Sequence, residues 1–323
     1  MQRNISIDIL KGIACIFIVF IHAPFPDQIG SIIKKLAQFG VPVFFLCSGF
    51  FATYSDKEKL KKSIKHILQL IAICYVLNLL RFFIQHEYSI FSSISDLRSS
   101  IFTTKNLIGW LLFNHTFLAG VAWFLFALLY CYIFQLLTIN QLSKFRLYII
   151  LFLLTGGAII NMFLPYSWTS FGWLSCGLLF FLTGQLIRVK KASIYNFKIP
   201  YIISVCLLGT ALLIISEFVI SWVWYYGAIL LSTGLFVLSL CIPTSVSSKL
   251  SALAALGNRY GFGVYIGHPL AIHLLKDTNI ATPEIHPFLF PVFVLILSII
   301  SVILIFYLKD KYATGKQRAY RMD

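Results

Sequence analysis

The sequence predicts an all-α fold, a polytopic transmembrane helical bundle of about ten spans in a single domain over residues 1–323, with both termini cytoplasmic. Three observations lead there. Of the 323 residues, 59% are hydrophobic and 11% charged, and mean hydropathy is +0.88, values outside those of a soluble globular domain. Apolar runs long enough to cross about 30 Å of hydrocarbon recur along the chain. The basic residues between them alternate in density, as the positive-inside rule requires.

The apolar runs lie near 5–24, 38–54, 67–85, 120–139, 147–164, 172–187, 199–216, 222–241, 251–275 and 288–308. The first already contains Asp8 and Lys11 and has no small-residue cleavage site after a short apolar core. It therefore reads as a retained span, not a signal peptide. The third follows Lys57, Lys59, Lys61, Lys62 and Lys65. Between the third and fourth, the run 107–113 is too short to cross and is expected as a re-entrant or surface helix. The tenth ends in a short basic tail, read as an orientation signal facing anionic lipid.

With the N-terminus inside, eighteen basic residues fall on the inner side and five on the outer side: Lys34, Lys35, Arg98, Lys105 and Lys276. Three more, Lys11, Arg81 and Arg259, lie within spans. This asymmetry predicts an even number of crossings. It also accounts for the formal charge of +15 without a nucleic-acid partner, since no soluble basic face with interleaved aromatics accompanies it. The seven cysteines all fall within the runs and include no Cys-x-x-Cys pair, so neither a disulfide framework nor a metal site is indicated.

Ionisable residues inside a span are costly and point to function. Lys11 and His22 are eleven positions apart, which returns to almost the same helix face about 16 Å further along the axis. Asp8, three residues before Lys11, shares that face and can pair with it. In the ninth run, Arg259 lies towards the inner end, and His268 and His273 lie towards the outer end. Polar residues then line a path from a basic inner mouth to an imidazole-rich outer site. Such a path suits an anionic cytoplasmic donor and an acceptor on the other side. The plainer readings are an interfacial hydrogen-bonded imidazole for His273, a snorkelling side chain for Lys11, and packing roles for Ser48, Gly257, Gly261, Gly263 and Gly267.

These residues resemble the integral-membrane acyltransferase 3 family. The resemblance rests on Asp8-Ile9-Leu10-Lys11-x10-His22, on Gly40-Val41-Pro42-Val43-Phe44-Phe45-Leu46-Cys47-Ser48-Gly49-Phe50, on Trp123-Phe124-Leu125 opening the fourth span, and on the block from Leu256-Gly257 to His273. It covers most of the chain and is nearest to the short single-domain type, which includes the enterobacterial common antigen O-acetyltransferase. There are two departures from the family pattern. Many members have Arg at the position of Lys11, and many have His where this chain has Val121; His115 is the nearest substitute.

The resemblance implies transfer of an acyl group, most often acetyl, from acyl-CoA to a hydroxyl of a carbohydrate or glycolipid acceptor at the cell membrane. Acetyl-CoA would be a donor substrate, with no permanently bound cofactor. His22 is expected as the base, because imidazole titrates near neutrality, with His268 as a second catalytic residue. A covalent acyl-imidazole is equally compatible with these residues. Lys11 and Arg259 would hold the donor phosphates, and Trp123 and His273 would contact the acceptor. The rivals are a transporter or flippase with a His- and base-lined pathway, and an acyltransferase moving succinyl or another group or using a non-carbohydrate acceptor.

Overall fold

The structure is a computed structural model describing residues 4–53, 56–85, 120–139, 143–163, 173–242 and 248–319. The expected short helix at 107–113 and His115 lie outside the described residues. The described residues are helical, with no strand among them. The chain divides into two compact units, one formed by residues 1–40 with 243–323 and the other by 41–242.

Each apolar run of the sequence forms a helix. In order the helices are α1 (Ile5–His22), α2 (Asp27–Leu36), α3 (Gly40–Ala52), α4 (Lys57–Gln85), α5 (Trp123–Leu137), α6 (Ser143–Phe163), α7 (Leu179–Val189), α8 (Ile199–Phe218), α9 (Trp224–Cys241), α10 (Ser248–Ala255), α11 (Gly261–Asp277) and α12 (Phe290–Ala319). Among the described residues, seven helical segments are long and apolar enough to cross a bilayer, and shorter apolar helices lie at Phe145–Gly157 and Cys176–Val189. The chain is a multi-pass membrane protein. A π-helical segment at Leu256–Tyr260 joins α10 to α11, and another at Trp173–Leu178 precedes α7.

The first unit is built around α1. Asn4 caps it, its side-chain oxygen accepting from the Ile7 N–H at 3.2 Å. Gly12 faces the Leu253 carbonyl and Gly257 faces the Asp8 carbonyl, each so closely that a methyl group would overlap the oxygen. Glycine at these two positions lets α1 and the α10–α11 segment touch backbone to backbone. The contacts advance in step: Asp8 with Gly257, the Cys15 thiol with the Gly261 carbonyl at 3.6 Å, and the His22 ring with the His268 ring. An advance of the same sign on both helices means that α1 and α11 run parallel. Along α12 the order reverses, with Arg259 against Asp310, Tyr260 against Phe306 and Gly263 against Val302. Asp8, Arg259 and Asp310 therefore lie towards one end of this unit, the end where α1 starts. The inward stripe of α12, Val294, Ser298 and Val302, is at most 5% exposed, whereas Ile296, Ile300 and Leu304 are 47–57% exposed. That is the pattern of a helix with protein on one face and lipid on the other.

In the second unit the close approaches are also backbone to glycine. Gly49 of α3 lies on the Phe181 carbonyl, and Gly184 of α7 lies on the Leu46 carbonyl. Ser48, expected as a packing residue, donates its hydroxyl to Phe44 O at 2.8 Å. Phe45 meets Phe124 edge-on at 4.8 Å. A polar chain is buried here: Gln185 Nε2 donates to Gln135 Oε1 at 2.7 Å, and Arg146 donates to Gln185 Oε1 at 2.9 Å and to the Thr138 carbonyl at 3.1 Å. Tyr225 donates to the Leu153 carbonyl at 3.1 Å, tying α9 to α6.

Candidate active site

Both ends of the parallel pair α1 and α11 carry the ionisable residues singled out in the sequence. At the end where the chain enters, Lys11 Nζ lies 3.1 Å from Asp8 Oδ1, the expected i,i+3 pair. The lysine side chain is 20% exposed and the aspartate 8%. Gly257 covers the backbone between Asp8 and Gly12, which sets the π segment carrying Arg259 against the turn carrying Lys11. Arg259, expected at the basic inner mouth, is exposed, pairs with Asp310, and lies over the rings of Tyr260 and Phe306 at 5.6 and 5.5 Å. It is carried by the π segment Leu256–Tyr260.

At the other end the His22 and His268 rings approach to 5.0 Å between centroids, tilted by 38°. Their surroundings differ. His22 is the last residue of α1 and is exposed, whereas His268 is 0% exposed. His268 Nδ1 lies 3.3 Å from the Val264 carbonyl. A carbonyl can only accept, so the proton sits on Nδ1 and Nε2 carries a lone pair. Pro269, the next residue within α11, has no N–H to give to the helical ladder. His268 Nε2 is buried without a hydrogen-bond partner. A buried unmet acceptor costs about 1–3 kcal/mol, and such groups gather at working sites.

His273, five positions beyond His268, is turned roughly 140° from it around α11 and is half-buried. Trp123 opens α5 in the second unit, 9% exposed and edge-on to Phe124. Gly257 and Gly263 are packing glycines as expected, but Gly267 is not, having nothing within 4 Å of where a Cβ would stand. Its absent side chain leaves space one residue before His268. Among the described residues no group of three or more His, Cys, Asp or Glu is placed to hold a metal. Sequence reasoning missed α2, the helix immediately after His22. Its signal is the amphipathic stretch from Asp27 to Leu36, which is too polar to register as a span.

A multi-helix membrane protein with a basic cluster at one end of a helix pair and paired imidazoles at the other has the makings of a group-transfer enzyme. The family model described as an acyltransferase domain, that of acyltransferase 3, matches residues 4–309, and the chain belongs to this family. It is an acyltransferase. Comparison with curated proteins and with solved structures returned no match.

Proposed function

We propose that the protein transfers an acyl group, acetyl in the first instance, from cytoplasmic acyl-CoA to a hydroxyl of a carbohydrate presented at the outer face of the cell membrane. The observation that carries this reading is the His22–His268 pair, one imidazole open and the other sealed with a free acceptor nitrogen. The open ring is the base. His22 takes the proton of the attacking hydroxyl as its oxygen bonds to the thioester carbonyl carbon. The tetrahedral intermediate then collapses, the C–S bond breaks, and the thiolate of coenzyme A leaves and recovers the proton from the imidazolium. His268 faces the acceptor and orients His22. Its Nε2 is available to an N–H of the neighbouring ring or to the acceptor.

The donor end is the end where the chain enters. Lys11 and Arg259 supply positive charge for the phosphates of coenzyme A, and Trp123 and His273 remain acceptor-side candidates. The positive-inside asymmetry supports placing this end in the cytoplasm, with about ten crossings and both termini inside. His22 is eleven residues from Lys11, about 16 Å along the helix. This matches the reach of a long extended cofactor arm. Mass spectrometry of surface carbohydrates from cells with and without the gene tests the reading. Loss of an acyl mass is expected, and unchanged glycans with a stably inserted protein would refute it.

A further inference from the structure

Four residues, 23–26, separate α1 from α2. Gly30 of α2 sits against the carbonyl of Phe25 in this connector with no room for a methyl group, and the Phe25 ring meets Phe20 of α1 at 5.0 Å, so this face of α2 turns towards the end of α1. Lys34 is one helical turn further along the same face. Beyond it the chain is pinned again to α1, with the Phe39 ring 5.4 Å from Phe17 and the Cβ position of Gly40 3.1 Å from Ile18 Cγ1. Lys34 therefore lies between two anchor points that straddle the level of His22, and its charge acts electrostatically on the His22 imidazole. Its own side chain is exposed and has no acidic partner among the described residues; the contact made by Gln38 is to the Lys34 backbone carbonyl.

From this placement, and resting on the acyl transfer to carbohydrate proposed above, we infer that the acceptor carries an anionic group, a carboxylate or a phosphate, beside the hydroxyl that is acylated, and that Lys34 binds it. A neutral sugar would leave an uncompensated cation next to the base. An anionic sugar is drawn in by that cation and held in register with His22. Orientation in the bilayer does not require this lysine, since it is one of only five basic residues on the side that the positive-inside rule disfavours. The ammonium is a point charge on a flexible stem, suited to either anion.

The test compares cells carrying the parent, Lys34→Gln and Lys34→Arg at equal protein level, with mass spectrometry of surface carbohydrate. The affinity of each purified full chain for acetyl-CoA is measured alongside. The acylated sugar or its immediate neighbour should carry a carboxylate or a phosphate, which the mass tells apart. Lys34→Gln should lower acylation about tenfold, the scale of one charge-assisted hydrogen bond, with acetyl-CoA affinity unchanged, and Lys34→Arg should retain most of it. A neutral acylated glycan, parent-level acylation in Lys34→Gln, or a fall in acetyl-CoA affinity on that substitution would each overturn the assignment. If parent cells acylate no carbohydrate at all, the proposed function fails first and this inference falls with it.

Discussion

The two compact units differ in which polar groups they bring together: a glutamine and arginine chain in one, two imidazoles in the other. In residues 41–242 Gln185 bonds Gln135, Arg146 bonds Gln185 and Tyr225 bonds a carbonyl of α6, while Arg146 Nε and the Thr233 hydroxyl are buried without a hydrogen-bond partner. In the unit of residues 1–40 and 243–323, one imidazole is open, its neighbour has an unmet nitrogen, and two cations are paired with carboxylates, Lys11 mostly enclosed and Arg259 exposed. Under the proposed function the base lies in the first unit, where the two imidazoles meet, and the glutamine chain of the second ties α5, α6 and α7 together.

The sharpest way to break that contrast is at His22. His22→Ala should reduce acyl transfer by at least about a hundredfold, the usual contribution of a positioned general base. The protein should remain inserted, because the substitution falls on an exposed residue at a helix end. Transfer at the parent rate by well-expressed His22→Ala would remove the base from this unit. His268→Ala comes next, with an expected loss of about tenfold or more in transfer and unchanged acetyl-CoA affinity. His268→Gln, which keeps a polar group of similar size, separates function from packing. If both variants lose donor affinity as much as transfer, the pair is structural and the site is a single compact one.

How far the site is legible in the sequence depends on how local its signals are. Lys11 with Asp8, and Lys11 with His22, are spacings on one helix, so periodicity alone gives their shared face. His22 and His268 lie far apart in the chain, and the sequence places them only as two histidines at the same level. Asp310 is not foreseeable as the partner of Arg259: alternating spans put both towards the inner side, but nothing in the sequence states that the tenth span packs beside the ninth in the register that joins them. The apolar run starts α4 ten residues too late, at 67 where the helix begins at Lys57. The first turns of that helix are charged and so invisible to a search for apolar runs. Its actual start is fixed by Asp56, which accepts from the Lys59 N–H at 2.8 Å and whose carboxyl is held below the usual range chiefly by that bond.

In the second unit, the corresponding test is Gln185→Ala. It removes the middle of the chain and leaves Gln135 and Arg146 each short of a partner in a buried setting, a loss of about 1–3 kcal/mol. Thermal unfolding in detergent should fall accordingly, while transfer per folded molecule stays near the parent value. A variant of unchanged stability with impaired transfer would place chemistry in the second unit.

The two cations should differ from each other. Lys11 is mostly enclosed and paired with a buried carboxylate, so Lys11→Ala removes a charge that solvent screens little and takes from Asp8 its ion-pair partner. Lys11→Arg keeps that charge, matches the residue common in the family, and should retain substantial transfer. Arg259 is 46% exposed and already answered by Asp310, which is 59% exposed, so salt and water weaken what it offers a donor. Arg259→Ala should therefore weaken acetyl-CoA binding only severalfold at low ionic strength, with the difference shrinking as salt is raised. Lys11→Ala should cost more and depend less on salt. The reverse order, with Arg259 the dominant and salt-insensitive contact, would mean that Asp310 swings away when the donor binds. The π segment, and not the first helix, would then be the main donor site.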